Sequence, residues 1–370
     1  MVESSSMSHN QPEDQITPNR ETLASFYGGY WNTKVSDFRF MTNPFFPPQE
    51  FMASLGKRLE ELVKSYPSTN WYISELYSDI AQVQKDQLVI ANGASELIAA
   101  ITDLFVERIV IPVPTFDEFI NRAHHLGKSV EYFDWKTGTD FDADGYIDTI
   151  QRTNANAALL IRPNNPTGSL ISRPDTIRIL NALTHLDVII VDESFLEFAP
   201  NSTEESIVDL LGKYPNVLLL KSLSKVYGIP GLRLGYVASV NQEWIKSIRN
   251  HLPIWGINSL AQYFLEQLPT YTAEFDQSCI KVREATDVMF TQLSAINNLT
   301  SYQSVGNFVL CKVPHTTNSK VLSDNLWKNH QILINDCSGK AGLDESYIRL
   351  ACRTIPENNV LINAISQSLQ

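Results

Sequence analysis

From about residue 87 the chain alternates short, mostly apolar runs with amphipathic segments of helix length. The runs fall at residues 87–91, 108–113, 157–161, 188–191, 216–220 and 234–237 and are rich in Val, Ile and Leu. Runs that are apolar at nearly every residue, rather than at every second one, suit strands buried on both faces of a mainly parallel sheet. Segments 95–105 and 116–126 have the length of crossover helices between such strands. Past about residue 270 the pattern changes. A long helical segment at 274–293 precedes strand-like 307–313, a further helical stretch, and strand-like 331–335 and 347–352. This predicts a smaller α+β domain. A helix over 49–66, closed by Pro67, joins that domain or bridges to the large one. The expected organisation is an α/β protein with a tail at 1–20, an N-terminal segment at 21–67, a large domain at 68–268 and a small one at 269–370.

Composition narrows the partners. Apolar residues make up 43% of 370, enough for a sizeable core, and charged residues 19%. With 41 acidic against 29 basic residues the net charge is −12, and no Lys/Arg run is present. Nucleic acid and anionic membranes are therefore excluded as expected partners, while a small anion in a local positive pocket is not. The four cysteines are widely spaced with no C-x-x-C pair, so neither a zinc site nor a disulfide framework is predicted. Residues 1–20 are polar and acidic, which predicts a disordered tail rather than a signal peptide. No apolar stretch approaches the roughly 20 residues a bilayer span needs. A soluble cytoplasmic protein is expected.

Nearly every predicted strand of the large domain ends in polar or conformationally special residues, and ligands of open α/β sheets sit at the carboxyl ends of the strands. In order, the clusters are Asn92-Gly93-Ala94-Ser95-Glu96, Pro114-Thr115-Phe116, Arg162-Pro163-Asn164-Asn165-Pro166-Thr167-Gly168, Asp192-Glu193, and Ser222-Leu223-Ser224-Lys225 running on to Arg233. Read singly, most have an ordinary structural explanation. Asn92 or Ser95 is a helix cap, Asp192 a turn residue, Phe116 a core aromatic and Lys225 a solvated lysine. Other signals carry no chemistry. Gly127-Lys128-Ser129 lacks the first glycine of a phosphate loop, where Arg122 stands, and Gly228, Gly231 and Gly235 do not have dinucleotide spacing.

Taken together and in this order, the clusters resemble the fold-type I pyridoxal-phosphate (PLP) enzymes of the class I/II aminotransferase family. Within it they are most similar to histidinol-phosphate aminotransferase and threonine-phosphate decarboxylase, from about residue 24 to the end. The resemblance implies pyridoxal 5'-phosphate as cofactor and a small amino acid as substrate. Lys225 would hold the cofactor aldehyde as a Schiff base and then act as acid and base. Gly93, Ala94 and Ser95 would give backbone donors to the cofactor phosphate at a helix N-terminus. Ser222, Ser224 and Arg233 would complete that phosphate site. Asp192 would pair with the pyridine nitrogen, Asn165 would bond the ring's phenolic oxygen and Phe116 would stack on the ring face. Arg349 resembles the arginine that forks the substrate α-carboxylate. Tyr66 resembles the tyrosine that reaches the neighbouring subunit's cofactor, which would make the active form a homodimer with shared sites. A surface-packed Tyr66 is the alternative.

The reaction follows from smaller marks. Histidinol-phosphate aminotransferases usually carry Asp-Glu-Ala-Tyr where this chain has Asp192-Glu193-Ser194-Phe195, and a phenylalanine there is similar to the threonine-phosphate decarboxylases. Tyr27-Gly28-Gly29 stands where that family has His-Gly-Gly, and Asn43 matches its phosphate-contacting asparagine. The resemblance thus favours a decarboxylase of O-phosphorylated or nucleotide-activated serine or threonine. An aminotransferase, and a non-catalytic binding protein of the same fold, are the alternatives. The family's phosphate-binding arginine is replaced by Asn335, followed by Asp336. With Tyr27 in place of histidine, this implies a less negatively charged distal group such as a phosphodiester. Lys340 is the residue that would restore the charge and keep the phosphomonoesters open.

Overall fold

A computed structural model describes residues 28–370; the expected tail and Tyr27 lie outside them. The first strand, β1 (Ser36–Phe38), belongs to a sheet otherwise built from the far end of the chain. Seven strands follow: β2 (Leu88–Asn92), β3 (Arg108–Val113), β4 (Ser129–Asp134), β5 (Ala157–Ile161), β6 (Val188–Asp192), β7 (Val217–Ser222) and β8 (Leu234–Ala238). They form one sheet in the order β2-β8-β7-β6-β5-β3-β4. All neighbours are parallel except β8, which runs against both β2 and β7. After β3 the chain goes outward to β4 and returns on the other side of β3 as β5. That reversal opens a crevice at the carboxyl ends of β3 and β5.

Both faces of this sheet are apolar, as a parallel sheet covered by helices requires. Successive residues feed opposite cores: Leu88 and Ile90 one, Val89 and Ala91 the other. Ile189 and Val191 alternate with Val188 and Ile190 in the same way. β4 lies at one edge of the sheet, none of its residues buried, and the apolar-run pattern does not reveal it.

The remaining strands are β9 (Thr300–Tyr302), β10 (Phe308–Lys312), β11 (Ile332–Asp336) and β12 (Tyr347–Ala351). With β1 they form a second sheet in the order β1-β11-β12-β10-β9. Its core side holds Phe38, Ile334, Ile348 and Leu350. Alternation therefore turns Asn335 and Arg349 to the opposite side, toward the large sheet. The 23-residue helix Thr272–Ser294 joins the two bodies. Its Cys279 and Val282 pack in the core of the large sheet, and its Ala285, Met289 and Leu293 in that of the small one.

Candidate active site

The helix Ala94–Phe105 starts directly after β2 and receives no side-chain cap, so its first N–H groups remain open. Its N-cap, Gly93, has φ 85°, and a β-carbon there would lie 2.2 Å from Nη2 of Arg233. Gly235 is as tight: a β-carbon would come within 2.5 Å of the Ala94 nitrogen. Two glycines thus let a helix N-terminus and a guanidinium close on one point. Arg233 itself takes a left-handed backbone, φ 58°, and its Nη1 donates to Ser224 Oγ at 3.4 Å. Ser224 is fully buried and donates onward to the Leu234 carbonyl, so it positions Arg233. Uncapped N–H groups, an arginine and the Ser222 hydroxyl make an anion cradle.

Asp192 ends β6 in a buried position. Burial, ahead of its hydrogen bonds to Ser194, pushes its pKa up to about 6. Ser194 deserves a role that sequence reasoning did not give it. Its backbone N–H donates to Asp192 Oδ1 at 2.9 Å, and its Oγ accepts from the Ser222 N–H at 2.8 Å. One serine thereby ties the acid at the end of β6 to the cradle at the end of β7. Beneath them Glu193 points the other way, onto Arg162 at 2.8 Å, both wholly buried. Phe116 stands at the start of helix Asp117–His125, partly buried against the apolar core.

Lys225 follows β7 in the short helix Leu223–Val226. Burial, then the positive charges of Arg349 and Arg233, lower its pKa to about 8. A neutral fraction near neutrality makes it a usable nucleophile and proton carrier. Arg349, 6% exposed, reaches across from β12: Nη1 donates to Asn165 Oδ1 at 2.7 Å and Nη2 to the Arg39 carbonyl at 2.6 Å. Its Nε is buried with no hydrogen-bond partner among the described residues. Burial, ahead of its charged neighbours, lowers its pKa to about 10. Held from two sides by neutral oxygens, the guanidinium is left to take a carboxylate. Arg353 is elsewhere, paired with Glu357 at 2.7 Å.

Other candidates divide. Asn43 is buried beneath Lys225 but its amide is spent: Nδ2 donates to the Val226 carbonyl at 2.9 Å and to Ser278 Oγ at 2.7 Å. Its backbone N–H donates to the Lys225 carbonyl at 3.0 Å, so it props the lysine rather than presenting a donor to a ligand. Lys340 reaches the site's edge at Thr115, where Asp117 takes its ammonium. Asn335 lies beside Arg349 across the β11–β12 pair. The Asp336 carboxylate, in contrast, accepts from Ser319 Oγ at 2.7 Å and the Ser338 N–H at 2.9 Å, so it adds no charge to the cleft as its place in the sequence had implied. Gly28 and Gly29 begin the described chain with φ 133° and 75°. Tyr66 is 79% exposed, its ring 4.6 Å from that of Trp255 and tilted by 35°. Arg39 and Asp37, near Arg349, carry no motif and were not anticipated.

A cavity of about 420 Å³ lies against the bridging helix, lined by Lys221, Glu197, Tyr236 and Arg283 among others, and none of the cleft residues above lines it. Among the described residues no cluster of His, Cys, Asp and Glu suits a metal ion, and no helix is long and apolar enough to cross a membrane.

Comparison with known proteins gives the chain's family. Residues 40–365 match the model of the family "Aminotransferase class I and II". The chain is 33% identical over 96% of its length to a CMP-5'-(3-aminopropyl)phosphonate synthase of Streptomyces rubellomurinus, whose length it matches over 57%. An L-serine phosphate decarboxylase of Sulfurospirillum multivorans is 30% identical over 84% of this chain and 81% of its own. The structure of the histidinol-phosphate aminotransferase from Clostridium acetobutylicum superposes with a TM-score of 0.82 at 26% identity, over 90% of this chain and 98% of that one. The chain spans little more than half the length of the first two curated relatives it matches, 57% and 56%. With the family model covering most of its length, and with an open helix N-terminus, a buried aspartate and a depressed lysine at its strand ends, the chain belongs to the class I and II aminotransferase family.

Proposed function

We propose that this chain is a PLP-dependent decarboxylase of a small L-amino acid bearing a phosphoryl group on its side chain. The substrate is an O-phosphorylated or nucleotide-linked serine or threonine, and the products are the corresponding amine and carbon dioxide. The observation that carries the reading is the convergence of Lys225, Asp192, the Gly93–Arg233 cradle and the Arg349–Asn165 pair on one cleft.

The residues fit pyridoxal phosphate. The uncapped helix start with Arg233 and Ser222 would hold its phosphate, and Lys225 its aldehyde carbon. Asp192, destabilised as an anion by burial, gains most from a buried cation such as a protonated ring nitrogen. When bound, the cofactor supplies an electron sink for the pair left at the substrate α-carbon. The chain's own part is orientation and proton handling. Arg349, braced by Asn165, anchors the substrate carboxylate and fixes which α-carbon bond stands across the ring. As the carboxyl group leaves as carbon dioxide, a proton must reach the α-carbon, and Nζ of Lys225 carries it. Phe195, at the position where a tyrosine marks the aminotransferases, packs edge-on against Phe308 at 5.2 Å and brings no hydroxyl.

Two of the reported relatives support the substrate class, one named for serine phosphate and one for an amine joined to CMP through a phosphonate. The likeness to a histidinol-phosphate aminotransferase favours transamination as the second reading. We further infer a homodimer in which Tyr66 serves the partner's site. Tyr66, Ile254 and Trp255, at 79%, 77% and 52% exposure, provide an apolar surface for that contact. The buried, unpaired cysteines suit a reducing, cytoplasmic setting. The test is carbon dioxide release and 2-oxoglutarate-dependent keto-acid formation by PLP-loaded protein on phosphorylated and nucleotidylated serine and threonine. Carbon dioxide without acceptor dependence is expected. Acceptor-dependent keto acid without carbon dioxide would establish the aminotransferase instead.

A further inference from the structure

We propose that Ser194 is a positioning residue for the cofactor. Its hydroxyl holds both the Asp192 carboxylate that would take the ring nitrogen and the Ser222–Lys225 segment that would take the phosphate and the aldehyde. The inference deepens the proposed function and rests on it only for the cofactor's identity.

The pairing of β6 with β7 ends with Asp192 beside Leu220. One further backbone bond follows, from the Glu193 N–H to the Leu220 carbonyl at 2.9 Å. The Ser222 N–H, two residues along β7, goes to a side chain instead: Ser194 Oγ accepts it at 2.8 Å. A hydroxyl thus stands in for a strand carbonyl, and Ser222 is fixed although β6 has ended. Ser222 is also the N-cap residue of the short helix Leu223–Val226, so the same bond helps to place Lys225.

A hydroxyl has one hydrogen to donate and two lone pairs. With one lone pair of Ser194 Oγ taken by the Ser222 N–H, its hydrogen is left for an acceptor, and the Asp192 carboxylate supplies one. Burial raises the Asp192 pKa; the hydrogen bond from the Ser194 side chain, then that from its backbone N–H, work against the rise. The backbone bond reaches Oδ1 at 2.9 Å. Amide, hydroxyl and carboxylate form a chain in which each bond polarises the next.

Among the described residues no other side chain donates to this carboxylate. The cation that acts on it, Lys221, is paired with Glu197 at 2.9 Å, and the neighbouring Glu193 charge opposes ionisation. Ser194 and Asp192 are 7% and 5% exposed, so water competes little for these bonds. Removing the hydroxyl therefore costs the carboxylate a donor and the Ser222 N–H its acceptor at one stroke.

The test titrates cofactor-free protein with PLP and reads the dissociation constant. It compares wild type, Ser194→Ala, Ser194→Cys, Ser194→Thr, Asp192→Asn and the double variant Asp192→Asn with Ser194→Ala. Chemical denaturation shows that each variant is folded. Ser194→Ala should weaken PLP binding about 10- to 100-fold, the scale of one hydrogen bond to a charged group. Ser194→Cys, close in size but a weak donor, should follow alanine, whereas Ser194→Thr keeps the hydroxyl and should recover most of the loss. In the Asp192→Asn background the loss from Ser194→Ala should be about 5- to 10-fold smaller, because a neutral bond replaces a charged one. Wild-type affinity in folded Ser194→Ala, or an equal loss in both backgrounds, would overturn the proposal. A wild type that binds no PLP would instead sink the cofactor reading itself.

Discussion

Replacing Gly93 by alanine puts one methyl group where the cradle has no room. The backbone there, φ 85° and ψ 162°, lies in a region essentially restricted to glycine, and forcing another residue into it costs about 1–3 kcal/mol. The new β-carbon would stand 2.2 Å from Nη2 and 2.8 Å from Cζ of Arg233. Those atoms end a flexible side chain, so the guanidinium yields rather than the fold. Stability should fall by only the backbone cost, while the anion site loses its arginine. One charged hydrogen-bonded contact is worth about 1.5–3 kcal/mol, hence about 10- to 100-fold in cofactor affinity. Gly231→Ala is the control, since a β-carbon there meets nothing within 4 Å. The assay is titration of cofactor-free protein with PLP, followed by the absorbance of the lysine-bound form, alongside chemical denaturation. Gly93→Ala with wild-type cofactor affinity would show that Arg233 does not serve the phosphate.

Three further outcomes follow from single contacts. Burial raises the Asp192 pKa from 3.8 to about 6, so the cofactor-free folded state holds that proton more tightly than the unfolded chain. Its stability should therefore fall as pH rises through that window and stay low above it. Asp192→Asn should remove about 3 kcal/mol of that penalty at pH 7, little of it at pH 4, and yet weaken PLP binding. Denaturation of the cofactor-free variant at both pH values decides this, and an equal change at both would contradict it. Arg162→Met leaves the wholly buried Glu193 with Lys221 at 3.7 Å and donors from Ser206 and Ile207, so it should cost about 3 kcal/mol in denaturant unfolding, the low end for a broken buried pair, and an unmoved midpoint would refute the pair's role. If Tyr66 serves the partner's site, mixing Lys225→Ala with Tyr66→Ala chains should restore activity that neither homodimer has; failure of hybrids to recover any would place Tyr66 outside the site.

The parallel sheet was legible because strands buried on both faces write their cores directly into the sequence. Residues 108–113 and 157–161, read as apolar runs, form β3 and β5 at those bounds. β4 was not legible, since an edge strand of sequence SVEYFD mixes polar and apolar residues as a surface segment does. At the site, residues that must follow a strand or start a helix were visible, Gly93 and Lys225 among them. Read alone, Asn92 or Ser95 passed for a helix cap, and the structure shows that helix without one. What side chains bond to was not visible. Asn43 turns its amide to Val226 and Ser278, and Asp336 alternates away from the neighbouring Asn335. The Arg39 carbonyl that braces Arg349 was hidden most deeply, because the two meet only through a sheet that joins β1 to strands near the far end of the chain.

The account turns on Lys225 as the group that holds the cofactor. Borohydride reduction of PLP-loaded protein, followed by proteolysis and mass spectrometry, makes that attachment permanent and locates it. The phosphopyridoxyl group is expected on Lys225 alone and should disappear in Lys225→Ala. Modification of another lysine such as Lys221, or of none, would contradict the account.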